Sequence, residues 1–345
     1  MIHRVTRRSL FSASFGGLLA ARRLPGAPSQ APVSIVKGGS RRQNIHDSLK
    51  LIDREIRARL AGRKCVIIKP NIVNTARQLA STHVDALQGI LDYLADRWKG
   101  PVYIAESSAG FTTEGYKNFR YEEAVRDHKG MKVELIDLNE EGEYEVLHIL
   151  NGDLHIQPVR LAKRLCDPEA FVISCGILKT HNTVIATMNI KNMALGAPLH
   201  YKRGESKRWN DKRVYHGGVR QTHYDILLTA QRLCRNWGIG VLDGYEGMEG
   251  NGPNSGTPVD HRIAIASTDM VAADRIGAEA MGINPDHLGY LQWCGETGVG
   301  VWKRESIELR GERLESVRRE YRLHADLDRM LQWMGPLTEL PPKLG

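Results

Sequence analysis

Residues 177–200 read ILKTHNTVIATMNIKNMALGAPLH. Lys179, His181, Lys191 and Asn192 recur there among apolar residues, and the stretch contains no carboxylate to balance the lysines. Lysines without acids suit an anion, because each ammonium is a compact positive charge for a carboxylate or a phosphate. His181 adds a ring whose ordinary pKa suits proton transfer near neutrality. The chemistry these types could do together is acid–base work on a small anionic substrate. Lys179, His181 and Lys191 are its catalytic candidates.

Lys69 and Asn71, in IIKPN (67–71), are candidate substrate-binding residues, together with Asn192, Gly250, Gly252 and Ser267. Gly250 and Gly252 belong to DGYEGMEGNGPNSGTP (243–258). Dense glycine permits positive φ and close backbone approach, and exposed amides in such a loop can cradle an anion. The segment fits neither GxGxxG opening a helix nor GxxxxGK[ST], and Pro253 and Pro258 point to a rigid loop. A tight loop that only supports its neighbours explains it equally well.

His200, His216, Asp243 and Glu246 form a metal-ligand candidate set, since imidazole with carboxylate suits zinc or a transition metal. No HxH or HExxH spacing joins them, so a divalent metal rests on composition and not on a motif. Asp243 or Glu246 could instead orient His181. The basic stretch 201–220 reads either as a lid that attracts an acidic ligand or as a solvated loop. Five cysteines lie far apart with no CxxC. Neither a zinc ribbon nor an iron–sulfur cluster is expected, and no disulfide framework. Cys175 before Gly176 reads as a buried strand-end thiol and not as a nucleophile.

Apolar runs of strand length must position these residues: VSIV (33–36), CVII (65–68), VYIA (102–105), KVELIDL (132–138), AFVISC (170–175), IGVL (239–242) and RIAIAS (262–267). Several are continuously apolar, as in strands covered on both faces. Helical periodicity runs through 44–62, 81–98, 121–128, 223–238 and 269–283. Ser81 or Thr82 is the expected cap of the second, and Asp269 or Thr268 of the last. The alternation predicts an α/β fold: a mostly parallel or mixed central sheet with helices on both faces. Five strands end in polar residues: Lys69 and Asn71, Glu106, Lys179 and His181, Asp243 and Glu246, Ser267 and Asp269. If those strands are parallel, all five sets share the edge where open α/β sheets bind ligands, the carboxyl ends of the strands.

The chain has 345 residues and a formal charge of +8. Residues 1–30 hold five arginines and no acid, so the rest carries only +3. That balance, without interleaved aromatic and basic residues, argues against a nucleic-acid partner. TRRSLF with Arg7 and Arg8, then the mildly apolar FSASFGGLLA, resembles a twin-arginine export signal. Residues 1–31 are therefore expected to be an export signal read by the twin-arginine machinery, with a periplasmic or extracytoplasmic destination. No apolar run approaches the roughly 20 residues of a membrane helix, so no transmembrane segment is expected. Oligomeric state is not legible.

Five motifs occur in order: IIKPN (67–71), LKTH (178–181), NIKNMALG (189–196), LDGYEGMEGNGPNSGTP (242–258) and ASTDMVAADRIGAEAMG (266–282). Together they resemble the DUF362 family over roughly residues 33–300. The resemblance implies signature residues Lys69, Asn71, Lys179, His181, Lys191, Asn192, Asp243, Glu249, Gly252 and Asp269, and no particular reaction. Some members of the family append a ferredoxin-like module with clustered cysteines, which this sequence lacks. The expected organisation is the signal, a family-like α/β domain over 32–310, and a helical extension over 311–345 packed on the same domain. No linker divides residues 32–345. The leading functional reading is an exported enzyme acting on a small anion. The alternative is a non-catalytic accessory protein that carries a metal or small cofactor.

Overall fold

A computed structural model of the chain describes residues 30–335. The arginine-rich segment and the last residues of the C-terminal extension lie outside the described residues. The strands in chain order are β1 (Ala31–Lys37), β2 (Cys65–Lys69), β3 (Pro101–Glu106), β4 (Lys132–Asp137), β5 (Tyr144–Leu150), β6 (Ile156–Ala162), β7 (Ala170–His181), β8 (Ile185–Thr187), β9 (Trp237–Glu249), β10 (Thr257–Ser267) and β11 (Ile307–Gly311). The seven apolar runs became β1 to β4, β7, β9 and β10. Every residue of β7 is buried, which is why its opening run shows no alternation of apolar and polar residues.

Nine strands form one mixed sheet in the order β11-β1-β10-β9-β7-β2-β3-β4, with β8 alongside β7. β9, β7, β2, β3 and β4 run parallel. Helices cover both faces. Arg41–Lys50, Asp53–Leu60, Val84–Ala95 and Tyr121–Asp127 lie over one; Asn189–Gly196, Val219–Leu233, Met270–Ala280 and Gly289–Glu296 lie over the other. Each face carries its own apolar core, and alternate strand residues divide between them. Val66 and Ile68 enter one core, Ile67 the other. Burying each such side chain contributes roughly 1.5–3 kcal/mol.

Several expectations needed correction. The helical pattern of 44–62 is two helices, broken at Leu51 and Ile52, and Ser40 caps the first. The Val84–Ala95 helix is capped by His83. Thr82 is used elsewhere, its hydroxyl donating to the Cys175 carbonyl and accepting from the Asn71 amide. β9 does not stop at Leu242 but continues to Glu249 and pairs with β10 as a long hairpin. β10 is antiparallel to both neighbours, so its end at Ser267 lies level with Gly240, near the start of β9. The β5–β6 hairpin was unforeseen. Among the described residues of the C-terminal extension, most are non-helical, with helices at Leu314–Val317 and Leu327–Leu331. It packs through buried Val317, Tyr321, Met330 and Trp333. Among the described residues no helix is long and apolar enough to cross a membrane.

Candidate functional site

β2 ends at Lys69, β3 at Glu106 and β7 at His181. Beyond these carboxyl ends a cavity of about 420 Å³ opens. Its polar wall comprises Lys69, Asn71, Glu106, Ser107, His181, Thr187, Lys191, Asn192, Lys212, His216 and Asn254, with Ile72, Val73, Ala109, Leu195 and Pro253 between them.

The floor is a closed network. Lys69 Nζ donates to both carboxylate oxygens of Glu106, at 2.8 and 3.0 Å, and to Asn192 Oδ1 at 3.1 Å. Neither charged side chain is exposed to any useful extent. Burial lowers the Lys69 pKa and Glu106 opposes that shift. The Glu106 oxygens also accept the Ile72 and Ser107 amides. Asn192 Nδ2 donates to Ser174 Oγ at 3.0 Å, and its Oδ1 accepts from Asn71 Nδ2 at 3.0 Å. Asn71 Oδ1 is buried without a partner. Residue 196 has to be glycine, since a Cβ there would lie 2.1 Å from Lys69 Nζ.

Lys191 sits on the Asn189–Gly196 helix, whose first amides are held by Asp274 at 2.9 and 2.8 Å. Lys191 is 6% exposed. Among the described residues it has neither a carboxylate nor a hydrogen bond at Nζ, and burial alone lowers its pKa from 10.5 to about 7. At the end of β8, Thr187 Oγ1 is buried and unpartnered. Burial brings Lys212 to about 7 as well, despite Glu106. Its ammonium, however, donates to Ser107 Oγ at 2.9 Å, Leu195 O at 3.1 Å and the Pro198 carbonyl.

Lys179 lies behind the wall. It is fully buried and donates to the Ala80 carbonyl at 2.7 Å. Burial, and then the charge of Lys191, hold its pKa well below the ordinary value. His181 Nδ1 accepts the amides of Thr183 at 3.0 Å and Val184 at 3.4 Å. The ring proton is therefore on Nε2. Burial, then Lys191, push the ring's pKa well below its ordinary value. This geometry makes His181 a neutral N–H donor, where its residue type alone pointed to acid–base exchange.

The remaining candidates are dispersed. Asp243 is ion-paired with Arg41 at 3.0 Å and accepts the Tyr245 amide at 3.0 Å, so it orients nothing at His181. Glu246 lines a separate crevice beside it. Both ring nitrogens of His200 face backbone carbonyls, of Tyr201 at 2.7 Å and Gly110 at 3.0 Å, so neither is turned towards the cavity. Only His216 of that set lines the cavity, and burial, then Lys191, lower its pKa to about 4. Among the described residues no three His, Cys, Asp or Glu side chains gather as a metal cluster. Ser267 does not line the cavity: β10 is separated from β2 by β9 and β7, and the hydroxyl donates to the Pro32 carbonyl at 2.7 Å. Asp269 caps the Met270–Ala280 helix.

Gly250 and Gly252 act through packing and not through a nest of amides. Gly250 has φ +72°, and its carbonyl accepts from Thr180 Oγ1 at 2.9 Å. A Cβ on Gly252 would lie 2.0 Å from the Thr180 carbonyl oxygen. This close seating of the loop brings Pro253 and Asn254 to the wall. Thr187 and Lys212 escaped sequence reasoning. Lys212 lies in the basic stretch that reads as either a lid or a solvated loop, and no periodicity marks it as buried.

The family model described as "Domain of unknown function (DUF362)" matches residues 66–279. A thylakoid-associated protein of Synechocystis sp. is 29% identical over 129 residues, 37% of this chain and 37% of the relative. The match thus spans little more than a third of that relative's length. A crystal structure of a Thermotoga maritima protein aligns at 12% identity with a TM-score of 0.34, over 57% of this chain and 44% of the other. Every residue of the cavity wall lies inside the matched span, and the chain belongs to the DUF362 family.

Proposed function

We propose that the cavity binds a small anionic molecule, a carboxylate or a phosphate, and that the protein is an enzyme acting on it. The observation that carries this reading is Lys191: a buried lysine on a cavity wall with no acid to neutralise it. A buried amine without a partner disfavours its charged form, and an incoming anion supplies the missing countercharge. His181 Nε2–H and Thr187 Oγ1 are further donors. Glu106 is the only carboxylate on the wall, and it is already saturated by Lys69 and two amides. Lys191, balanced between its charged and neutral forms near neutrality, is the group that takes up and returns a proton.

The test is thermal unfolding with inorganic phosphate and a series of small carboxylates. Binding at the cavity raises the midpoint with ligand concentration, and Lys191→Met abolishes the rise. A folded wild-type protein that no member of the series stabilises overturns the reading. We also propose export by the twin-arginine route to an extracytoplasmic compartment, on the strength of Arg7 and Arg8 ahead of the mildly apolar stretch. Replacing both by lysine should retain the protein in the cytoplasmic fraction. Unchanged fractionation rejects the route.

A further inference from the structure

We infer that Lys191 is an imine-forming nucleophile, and that the ligands of this cavity are carbonyl compounds carrying an anionic group, 2-oxo acids above all. The inference rests on the anion-site reading and names the reactive group and the substrate class within it.

Four lysines are buried among the described residues, and their commitments differ. Lys69 is ion-paired to Glu106 and also bonded to Asn192 and the Pro70 carbonyl. Lys212 directs its ammonium at three oxygens. An ammonium that donates three bonds has no lone pair to offer. Lys179 is tied to the Ala80 carbonyl and is not on the wall. Lys191 alone reaches the cavity with its nitrogen uncommitted.

The surroundings favour the neutral, nucleophilic amine. Burial removes the water that would stabilise an ammonium. A lysine desolvated in a pocket is a recognised way to make an amine attack carbonyl carbon. The rest of the wall complements the same substrate. His181 Nε2–H and Thr187 Oγ1 are donors for a carboxylate, and Ile72, Val73 and Leu195 give a short carbon chain an apolar surface.

The step balances without a further reactant. The Lys191 nitrogen lone pair adds to the carbonyl carbon, and the carbonyl π pair moves to oxygen. Both amine protons end on that oxygen, which leaves as water as the C=N bond forms. The product is an imine that draws electrons from the adjacent carbon.

Borohydride reduction of the full-length protein with glyoxylate, pyruvate or 2-oxoglutarate, followed by peptide mass spectrometry, tests this. The expected result is a reduced adduct on Lys191. Lys191→Arg keeps the cation but loses the nucleophile, so it should still be stabilised by phosphate yet lose the adduct completely. Adducts spread over surface lysines, or none on Lys191 with any of the three acids, overturn the imine. If phosphate and carboxylates still stabilise the protein in that case, the anion site survives. If they do not, both readings fall.

Discussion

Two regions of the sheet treat buried polar groups differently. Where β10 ends, Ser267 and Asp269 are saturated: the hydroxyl serves Pro32, and the carboxylate accepts the Ala272 and Val301 amides at 3.0 and 2.9 Å. Where β2, β3 and β7 end, saturation stops part-way. Lys69, Glu106 and Asn192 are fully bonded, but Asn71 Oδ1, Thr187 Oγ1 and Lys191 Nζ are not. Saturated groups explain themselves as structure. A group of unsaturated ones around one cavity points to a ligand, because burying them unbonded opposes folding.

Mutation can break this comparison, beginning with its strongest element. Lys69→Met leaves the Glu106 carboxylate buried without its cation and should lower stability by about 3–5 kcal/mol in chemical denaturation. A small loss would show that the floor network is not closed as described. Gly252→Ala drives a methyl into the Thr180 carbonyl oxygen and should lower stability by about 1–3 kcal/mol while weakening anion binding through Pro253 and Asn254. Asp269→Ala removes a helix cap in the saturated region. It should lower the unfolding free energy by about 1 kcal/mol and leave anion affinity unchanged.

Lys191→Met should not lower unliganded stability, and should raise it at neutral pH by removing the cost of burying the amine, while having the largest effect on binding. It also sharpens the comparison through pH. Folding lowers the Lys191 pKa from 10.5 to about 7. Between those values the unfolded chain holds a proton that the folded chain has released, so stability rises with pH across that window. Lys212 adds a similar rise. The difference between wild-type and Lys191→Met stability profiles isolates the Lys191 part, at most about 1.4 kcal/mol per pH unit. A flat difference profile would mean that Lys191 is solvated.

The sheet was legible because its central strands open on apolar runs, as β7 does with AFVISC. Strand direction was not, since an apolar run reads the same in either orientation. That is how Ser267, at the end of an antiparallel strand, came to be grouped with the carboxyl ends of the parallel ones. The β5–β6 hairpin was hidden by its half-exposed residues and Pro158. Within the site, IIKPN and LKTH marked the strand ends correctly. The sequence could not rank the lysines, because Lys179 and Lys191 differ only in what surrounds them. Lys191 and His181 share the cavity wall, while Lys179 and Asp243 are tied up by Ala80 and Arg41.

The cavity wall is assembled from separate parts of the chain, from Lys69 at one end of the sequence range to Asn254 at the other. Contacts between such distant segments close slowly during folding, after local helices and hairpins have formed. The binding site is thus expected to appear only with the finished sheet. A bound anion would act as a clasp on the whole domain and not on one loop, and ligand affinity would report on how much of a preparation has reached the native state.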